Sequence, residues 1–586
     1  MNDVLKNPQH VAKIGFNGFN MEQSADFTAS SGMLLPVYYD FLYPGDKFKG
    51  LGTINLRTQP LLTPANFKAS VRLDWFAVPV KQLFKFFGSM YYNIDDIGTD
   101  LVQTPYAQTP ATIPSIGVVL AMQYLSNIYS SNSYTSGLKR WNYDSALFAS
   151  PSELNDAFRL LDCLHWPVAQ MFDGFDSTWS FTQNVLYLAA YQKIYNDFFR
   201  IDDREVNQVQ SYNCDSYYDN SSISQLKFRQ LTRLRYAPFN KDLRTNVFVS
   251  PLQGSQDIGS LGITDQLFNS WLTDAEYSTI NDIDAESNSA PTTVARTNGQ
   301  SSVAVVRRNL NAASIRQMFA VEKCLEITRR AGKHFDAQTL AHWGVKLPDS
   351  LTDEVIYLGS QTQPFIVGDI TSTSATDDEP LGTLAGKGYS GRYVEGSKVN
   401  FVDFESRGEF YIVMALFSVN PEVSYTQRGF DRLQALVSPK DFVHPEFDNL
   451  GMQPFYWYQY LANDESKVTD YNIYGWQYAY SESKIKENRV FGGVHSDGLL
   501  HSWVPQFDSK NYNTNGKNAF LSNPEYFNDI LVYPFKYRDI RDNSGDSAII
   551  NSSSYALLYE RDPFIVHADF SCYKSSKMSK YSLPNL

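Results

Sequence analysis

The chain has 586 residues and a formal net charge of −13, which excludes a protein whose whole surface tracks phosphate backbones, since that binding is carried by Lys and Arg. Hydrophobic residues make up 43% and charged residues 19%, so the chain can bury a substantial core and is not disordered. Aromatics reach 15%, with 38 tyrosines and 39 phenylalanines, which tilts the expectation toward β structure and extensive subunit contacts.

In chain order, the first residues are polar with no apolar signal core, and the longest solid apolar run, Tyr411 to Phe417, is too short to span a bilayer. Neither secretion nor membrane insertion is expected. Residues 33 to 80 read as strands punctuated by turns: Met33 to Val37, a turn at Tyr43-Pro44-Gly45-Asp46, then Val71 to Trp75 in alternation. Pro-containing stretches at Thr58 to Pro64 and at Pro79 place loops or strand ends there. Residues 99–150 read as a long surface excursion.

Helical spacing follows. Leu154, Ala157, Phe158 and Leu161 recur after Ser152, a good N-cap, and Leu188, Tyr191, Tyr195 and Phe198 repeat within 184–200. Residues 255–309, rich in Ser, Thr, Asn, Asp and Gly, read as a second surface excursion. A helix starts near Asn311, turns Ile315, Met318, Phe319 and Leu325 inward, and stops at Gly332. After residue 395 the pattern returns to β: Val399 and Phe401 alternate, and Phe410 to Val419 is a continuous apolar run, as in a strand buried on both faces. The strands of one discontinuous core are thus expected mainly within 30–80, 240–250, 395–440 and 550–575 of a single-domain chain. No 20-to-50-residue repeat occurs, which disfavours propellers and solenoids.

Catalytic and cofactor signals are weak. Gly386-Lys387-Gly388-Tyr389-Ser390-Gly391 satisfies a dinucleotide-binding pattern, but the strand before it and the helix after it are missing, so a flexible loop is expected. Gly382 to Lys387 likewise lacks the spacer of a phosphate-binding loop. No nucleophile elbow and no His-Glu-x-x-His pair occurs; His334 and His342, the nearest histidine pair, suit packing or surface roles. Cys163, Cys214, Cys324 and Cys572 lie far apart, which fits neither a disulfide framework nor a zinc ribbon and suggests reduced, buried thiols made in a cytosol. No catalytic residue, cofactor or metal site is expected.

Two basic stretches interleaved with aromatics stand out, because charge and stacking together can hold single strands. Lys227-Phe228-Arg229 through Arg233-Leu234-Arg235-Tyr236 is read as a solvated face or a set of subunit salt bridges. Tyr573, Lys574, Lys577, Lys580 and Tyr581 are read as a flexible C-terminal polycation and as the nucleic-acid candidates.

Several separated segments resemble the major capsid protein of the microvirus family, closest to its gokushovirus-like and Bacteroidetes-associated branches. They are Gly32 to Pro36 with Asp40 to Asp46; Trp75 to Pro79; Tyr191 to Arg200; Lys241-Asp242 with Ser250 to Gly254; Ser314 to Gly332; His342 to Val345 with Pro348-Asp349; Pro380 to Gly382; Pro445 to Phe447 with Leu450-Gly451; and Asp562 to Phe564. Each is short, but they occur in the family's order from about residue 28 to 575. The chain departs from the pattern at Asp197, where the family carries Glu, and in 99–150 and 255–309, where nothing matches.

The resemblance implies an eight-stranded antiparallel jelly roll with long helical and loop insertions. It also implies an icosahedral shell of sixty copies around a circular single-stranded DNA genome, built in the host bacterial cytoplasm. Scaffolding and DNA-pilot proteins and a host-cell receptor would be the partners. Residues 255–309 would form an outer protrusion at a three-fold axis, its apolar Leu267, Phe268, Trp271 and Leu272 buried between copies. A carbohydrate-binding or carbohydrate-active jelly-roll protein is the alternative, since aromatics and acidity suit sugars too.

Overall fold

Period-two alternation shapes the last strand among the described residues, Phe564–Ser576. From Phe564 to Lys574 every second side chain is buried and its neighbours face outward, the pattern of a strand with one wet face. In contrast, Tyr411–Pro421 is buried at every position. The computed structural model describes residues 15–58, 68–92, 112–129, 153–168, 181–201, 205–217, 223–251, 312–332, 334–347, 353–371, 384–391, 394–426, 430–445, 451–460, 473–506 and 562–580.

The strands, in chain order, are β1 (Asn17–Asn20), β2 (Gln23–Ala29), β3 (Leu35–Leu42), β4 (Lys47–Thr58), β5 (Ala69–Pro79), β6 (Ser115–Gly117), β7 (Thr182–Asn184) and β8 (Ile356–Thr371). They continue with β9 (Leu384–Ser390), β10 (Val402–Glu405), β11 (Tyr411–Pro421), β12 (Ser424–Thr426), β13 (Met452–Tyr456), β14 (Ile473–Tyr478), β15 (Asn488–Val490) and β16 (Phe564–Ser576). Ten of them form one sheet along the path β1, β16, β4, β9, β8, β5, β11, β3, with β10 added to β4 and β2 to β16. All of its pairings are antiparallel.

The first and last parts of the chain meet here: β4 pairs with β16 from Thr58 opposite Phe564 to Lys47 opposite Ser575. Strand β8 carries the sheet around a bend, pairing with β5 from Ile356 through Phe365 and with β9 from Ile366 onward. The curled sheet faces itself across an aromatic nucleus. The Tyr38 ring lies 5.4 Å from Trp75, 5.4 Å from Phe570 and 6.0 Å from Phe48. This is a mostly antiparallel jelly roll of the capsid type, with helical insertions.

The insertions explain why β11 has no wet face. Helices α1 (Phe87–Tyr92), α2 (Val118–Tyr129), α3 (Glu153–Cys163), α4 (Leu186–Ile194) and α5 (Gln225–Leu231) precede the long gap, and α6 (Ala312–Ala331) and α7 (Phe335–Trp343) follow it. Helix α4 lies across the outer side of β5 and β11, and the Tyr191 hydroxyl on it donates to the Leu34 carbonyl at 2.9 Å. The Phe198 ring, two turns after Tyr191, packs 5.0 Å from Phe76 on β5.

Several expectations need correction. Residues 115–125, placed in a surface excursion, bury Ile116, Val118, Ala121, Met122 and Leu125 in the core. Residues 240–250 supply no strand, only an isolated bridge from Phe248 to Trp476. The β pattern after 395 begins at Val402, which is buried, while Phe401 faces solvent, the opposite phase to that expected. Phe319, read as inward on α6, is exposed, as is Cys324, whereas Cys214 and Cys572 are buried. Gly386 to Ser390 is not a loop but part of β9. There Gly388 has no Cβ because the Phe365 ring occupies that space: a Cβ would meet Phe365 Cζ at 1.9 Å. Residues 255–309, with Leu267, Phe268, Trp271 and Leu272, lie outside the described residues, as does Tyr581.

Candidate nucleic-acid and assembly surfaces

Strand parity decides the C-terminal candidates. Lys574 falls on the inward set of β16 and is buried, not part of a flexible polycation. Its Nζ lies 3.2 Å from Asp40 Oδ2, donates to the Phe41 carbonyl, and sits 5.6 Å from the Tyr43 ring. Burial pushes the Asp40 carboxyl above its ordinary value, against the pull of Lys574 and of the Phe41 N–H, which donates to it at 2.8 Å. Lys574 is therefore a structural cation of the roll.

Tyr573, on the opposite parity, is exposed, and its hydroxyl occupies the space above Gly18 on β1. Lys577 and Lys580 lie beyond the strand and are exposed, with Lys577 Nζ 5.5 Å from the Phe16 ring, itself half exposed. So the structure divides the candidates: Tyr573, Lys577 and Lys580 are exposed, with Lys577 beside Phe16, and Lys574 is buried.

The internal basic stretch is split: Arg229 and Arg233 are exposed, whereas Lys227 and Arg235 turn inward. Lys227 Nζ donates to the carbonyls of Gln210 and Asn213, both at 2.6 Å, and burial lowers its pKa. Arg235 donates to Gln192 Oε1 at 2.7 Å and Gln208 Oε1 at 3.0 Å and stacks 4.5 Å from the Tyr195 ring. These cations satisfy buried carbonyls and amides. His334 and His342 do not converge either: His334 Nδ1 meets Glu354 Oε1 at 2.6 Å, and His342 Nε2 meets Thr328 Oγ1 at 3.0 Å. Among the described residues no three His, Cys, Asp or Glu side chains are grouped to hold a metal.

Buried ion pairs missed in the sequence fasten the insertions to the roll. Arg159 on α3 pairs with Asp562 at the start of β16 at 2.5 Å, both buried, and Thr28 on β2 donates to the same carboxylate at 2.6 Å. Arg244 grips Glu487 through Nε at 2.7 Å and Nη2 at 3.0 Å, with Tyr425 stacked 4.5 Å away. Asp197 pairs with Lys193 one turn back at 3.2 Å and accepts the Val355 N–H at 3.0 Å. Only this last pair had a local signal, its one-turn spacing. The others join residues hundreds of positions apart.

Several apolar side chains are exposed. Val437 is 85% exposed, Phe491 79% and Leu499 98%, large side chains that a solitary molecule would leave wet. Among the described residues no helix is long and apolar enough to cross a membrane.

Comparison with known proteins gives this surface its context. Residues 177–541, more than half of the chain, match the family model described as "Capsid protein (F protein)". "Capsid protein VP1" of Chlamydia phage 1 is 28% identical over 247 residues, covering 39% of this chain and 40% of the relative. "Capsid protein VP1" of Spiroplasma virus 4 is 24% identical over 196 residues, covering 32% of this chain and 33% of the relative. The aligned stretches thus span well under half of these relatives' own length. With the jelly roll, the helical layer and the match across 177–541, the chain belongs to the phage capsid protein (F protein) family and is a structural capsid protein.

Proposed function

We propose that this chain is the major capsid protein of a microvirus of the gokushovirus-like, Bacteroidetes-associated kind, and that sixty copies close into an icosahedral shell around a circular single-stranded DNA genome. The observation that carries the reading is the family match over 177–541, running through helices α4 to α7 and strands β7 to β15. The shell would form in the host bacterial cytoplasm with scaffolding and DNA-pilot proteins and would later meet a host-cell receptor. It performs no catalytic step of its own. Residues 255–309 would protrude outward at the three-fold axis.

Assembly draws on the exposed apolar side chains, with charge setting register more than affinity. Negative-stain imaging and sedimentation of the purified chain should show closed particles or pentamers; a monomer that stays monomeric under every assembly condition would sink the reading. Within it, the genome-facing edge narrows to Lys577, Lys580 and Tyr573. Replacing Lys577 and Lys580 with Gln should lower the DNA content of particles while leaving shell yield intact, and unchanged DNA content would count against that edge.

A further inference from the structure

Polar bonds, not a buried face, hold helix α7 in place. None of its nine residues is buried, and it lies against α6 and against no other helix or strand to a comparable extent. A helix of that length with nothing buried is not stable by itself in water. Gln338 Nε2 donates to the Thr328 carbonyl at 2.8 Å and His342 Nε2 meets Thr328 Oγ1 at 3.0 Å, which fixes α7 to α6. Helix α6 in turn rests on the body through Arg329, stacked 4.6 Å from the Phe248 ring. The start of α7 has a separate tie. His334, the residue that precedes its first turn, brings Nδ1 to 2.6 Å from Glu354 Oε1, just before β8, and both side chains are about three-quarters buried.

That tie sits among like charges. Asp336, in the first turn of α7, is hydrogen-bonded to the same Glu354 carboxyl. The charge of His334 also reaches Asp197, just past α4. Asp197 has its own cation, Lys193 Nζ at 3.2 Å, and accepts the Val355 N–H at 3.0 Å, while Lys193 donates to the Asp353 carbonyl at 3.0 Å. The charged and titratable groups gathered here among the described residues are thus His334, Glu354, Asp336, Asp197 and Lys193, and Lys193 is engaged by Asp197. The imidazole is the cation that faces Glu354 and Asp336, and an imidazole gains and loses its charge near neutrality.

We infer that the His334–Glu354 pair is a proton-operated latch, holding the start of α7 on the body at mildly acidic pH and releasing it as pH rises. Burial, together with Asp336, holds the Glu354 carboxyl above its ordinary 4.5, against the pull of His334. A carboxyl raised in this way contributes fully below 4.5, and that contribution is lost as pH climbs through the folded value. The imidazole works in the same direction: once it loses its proton, Glu354 and Asp336 face each other without a cation beside them. Both groups therefore tighten the latch on acidification. The latch belongs to the single chain and does not depend on the capsid reading.

Hydrogen exchange of the full-length chain, corrected for the intrinsic rate, tests it, with β11 as the internal reference. Amides of Phe335–Trp343 should lose about fivefold in protection between about pH 6 and about pH 8.5, while those of Tyr411–Pro421 keep theirs. His334→Gln should show the lower protection at both pH values, and His334→Lys, a cation throughout this range, should keep the higher protection at both. Wild-type α7 protection that does not change with pH would overturn the latch, as would wild-type behaviour in either variant. A decline shared by β11 would mean that the whole fold responds, and would overturn it too.

Discussion

Trp75 and Trp343 carry the same side chain into opposite settings. Trp75, on β5, is fully buried, its ring 5.4 Å from Tyr38 and its indole N–H donating to Gln361 Oε1 at 3.3 Å. Trp343, at the end of α7, is 80% exposed. The aromatics at the centre of the roll join two sheet faces, whereas those of α7 face solvent. High aromatic content therefore serves two purposes in this chain, core packing and surface display.

The largest effect should come from breaking the buried side of this contrast. Trp75→Ala should cost about 4 kcal/mol of stability by the cavity it leaves and the lost aromatic contacts, while Trp343→Ala should stay within about 0.5 kcal/mol. Urea denaturation of the unassembled chain measures both. Equal losses would erase the distinction between the two regions.

Next comes the ion pair inside the roll. Lys574→Ala should cost about 3 kcal/mol, because the Asp40 carboxylate stays behind without its cation, and Lys574→Ala with Asp40→Ala should recover part of it. The pH dependence has a defined sign: Asp40 holds its proton more tightly in the fold than in the unfolded chain. Its contribution is thus fully present below the ordinary value of 3.8 and is lost as pH rises through the higher folded value. The Lys574→Ala deficit should accordingly shrink on acidification, and a deficit that grows instead would show that Lys574 does not compensate Asp40.

Much of the roll was legible because its strands obey period two and its turns carry Pro and Gly: the stretches at Met33 and Val71 lie in or against β3 and β5. The run from Phe410 reads as doubly buried, and α4 covers its second face. Strand β8 escaped notice because its partners, β5 and β9, lie on either side of a bend that sequence does not mark. The candidate surface was legible in part. Lys574, Lys577 and Lys580 look alike as a string, and only knowing that β16 runs through Ser576 assigns Lys574 to the inward parity. Local composition likewise could not say that Lys227 and Arg235 meet carbonyls and amides from other segments.

A smaller effect tests the glycine-rich strand. Gly388→Ala would place a methyl group against the Phe365 ring, which must move from its packing 5.8 Å from Phe564. Overpacking of this kind should cost about 2 kcal/mol, with no saturable dinucleotide binding in either the wild type or the variant. A neutral substitution would mean that the ring has room to give and that β9 is looser than β4 or β5.

The smallest expected effect lies on the wet face of the same strand that buries Lys574. His567 points outward on β16 between two carboxylates, Asp26 on the paired strand β2 at 2.5 Å and Asp569 at 3.3 Å. The hydrogen bond that its ring N–H donates to Asp26, then the charges of Asp569 and Asp26, raise its pKa above the ordinary 6.5. A raised histidine stabilises the folded strand pair fully below 6.5, and that contribution disappears as pH climbs through the folded value. Because the site is open to solvent, salt should screen most of it. Nuclear magnetic resonance titration of His567 should give a value above that of the same residue in the denatured chain, and Asp26→Asn should bring it down. At that point amide exchange along β2 should become insensitive to pH near neutrality, after correction for the intrinsic rate. A His567 that titrates at its ordinary value in the wild type would show that the outward face of β16 contributes nothing to holding β2, and that the inward parity alone fastens the end of the chain to its beginning.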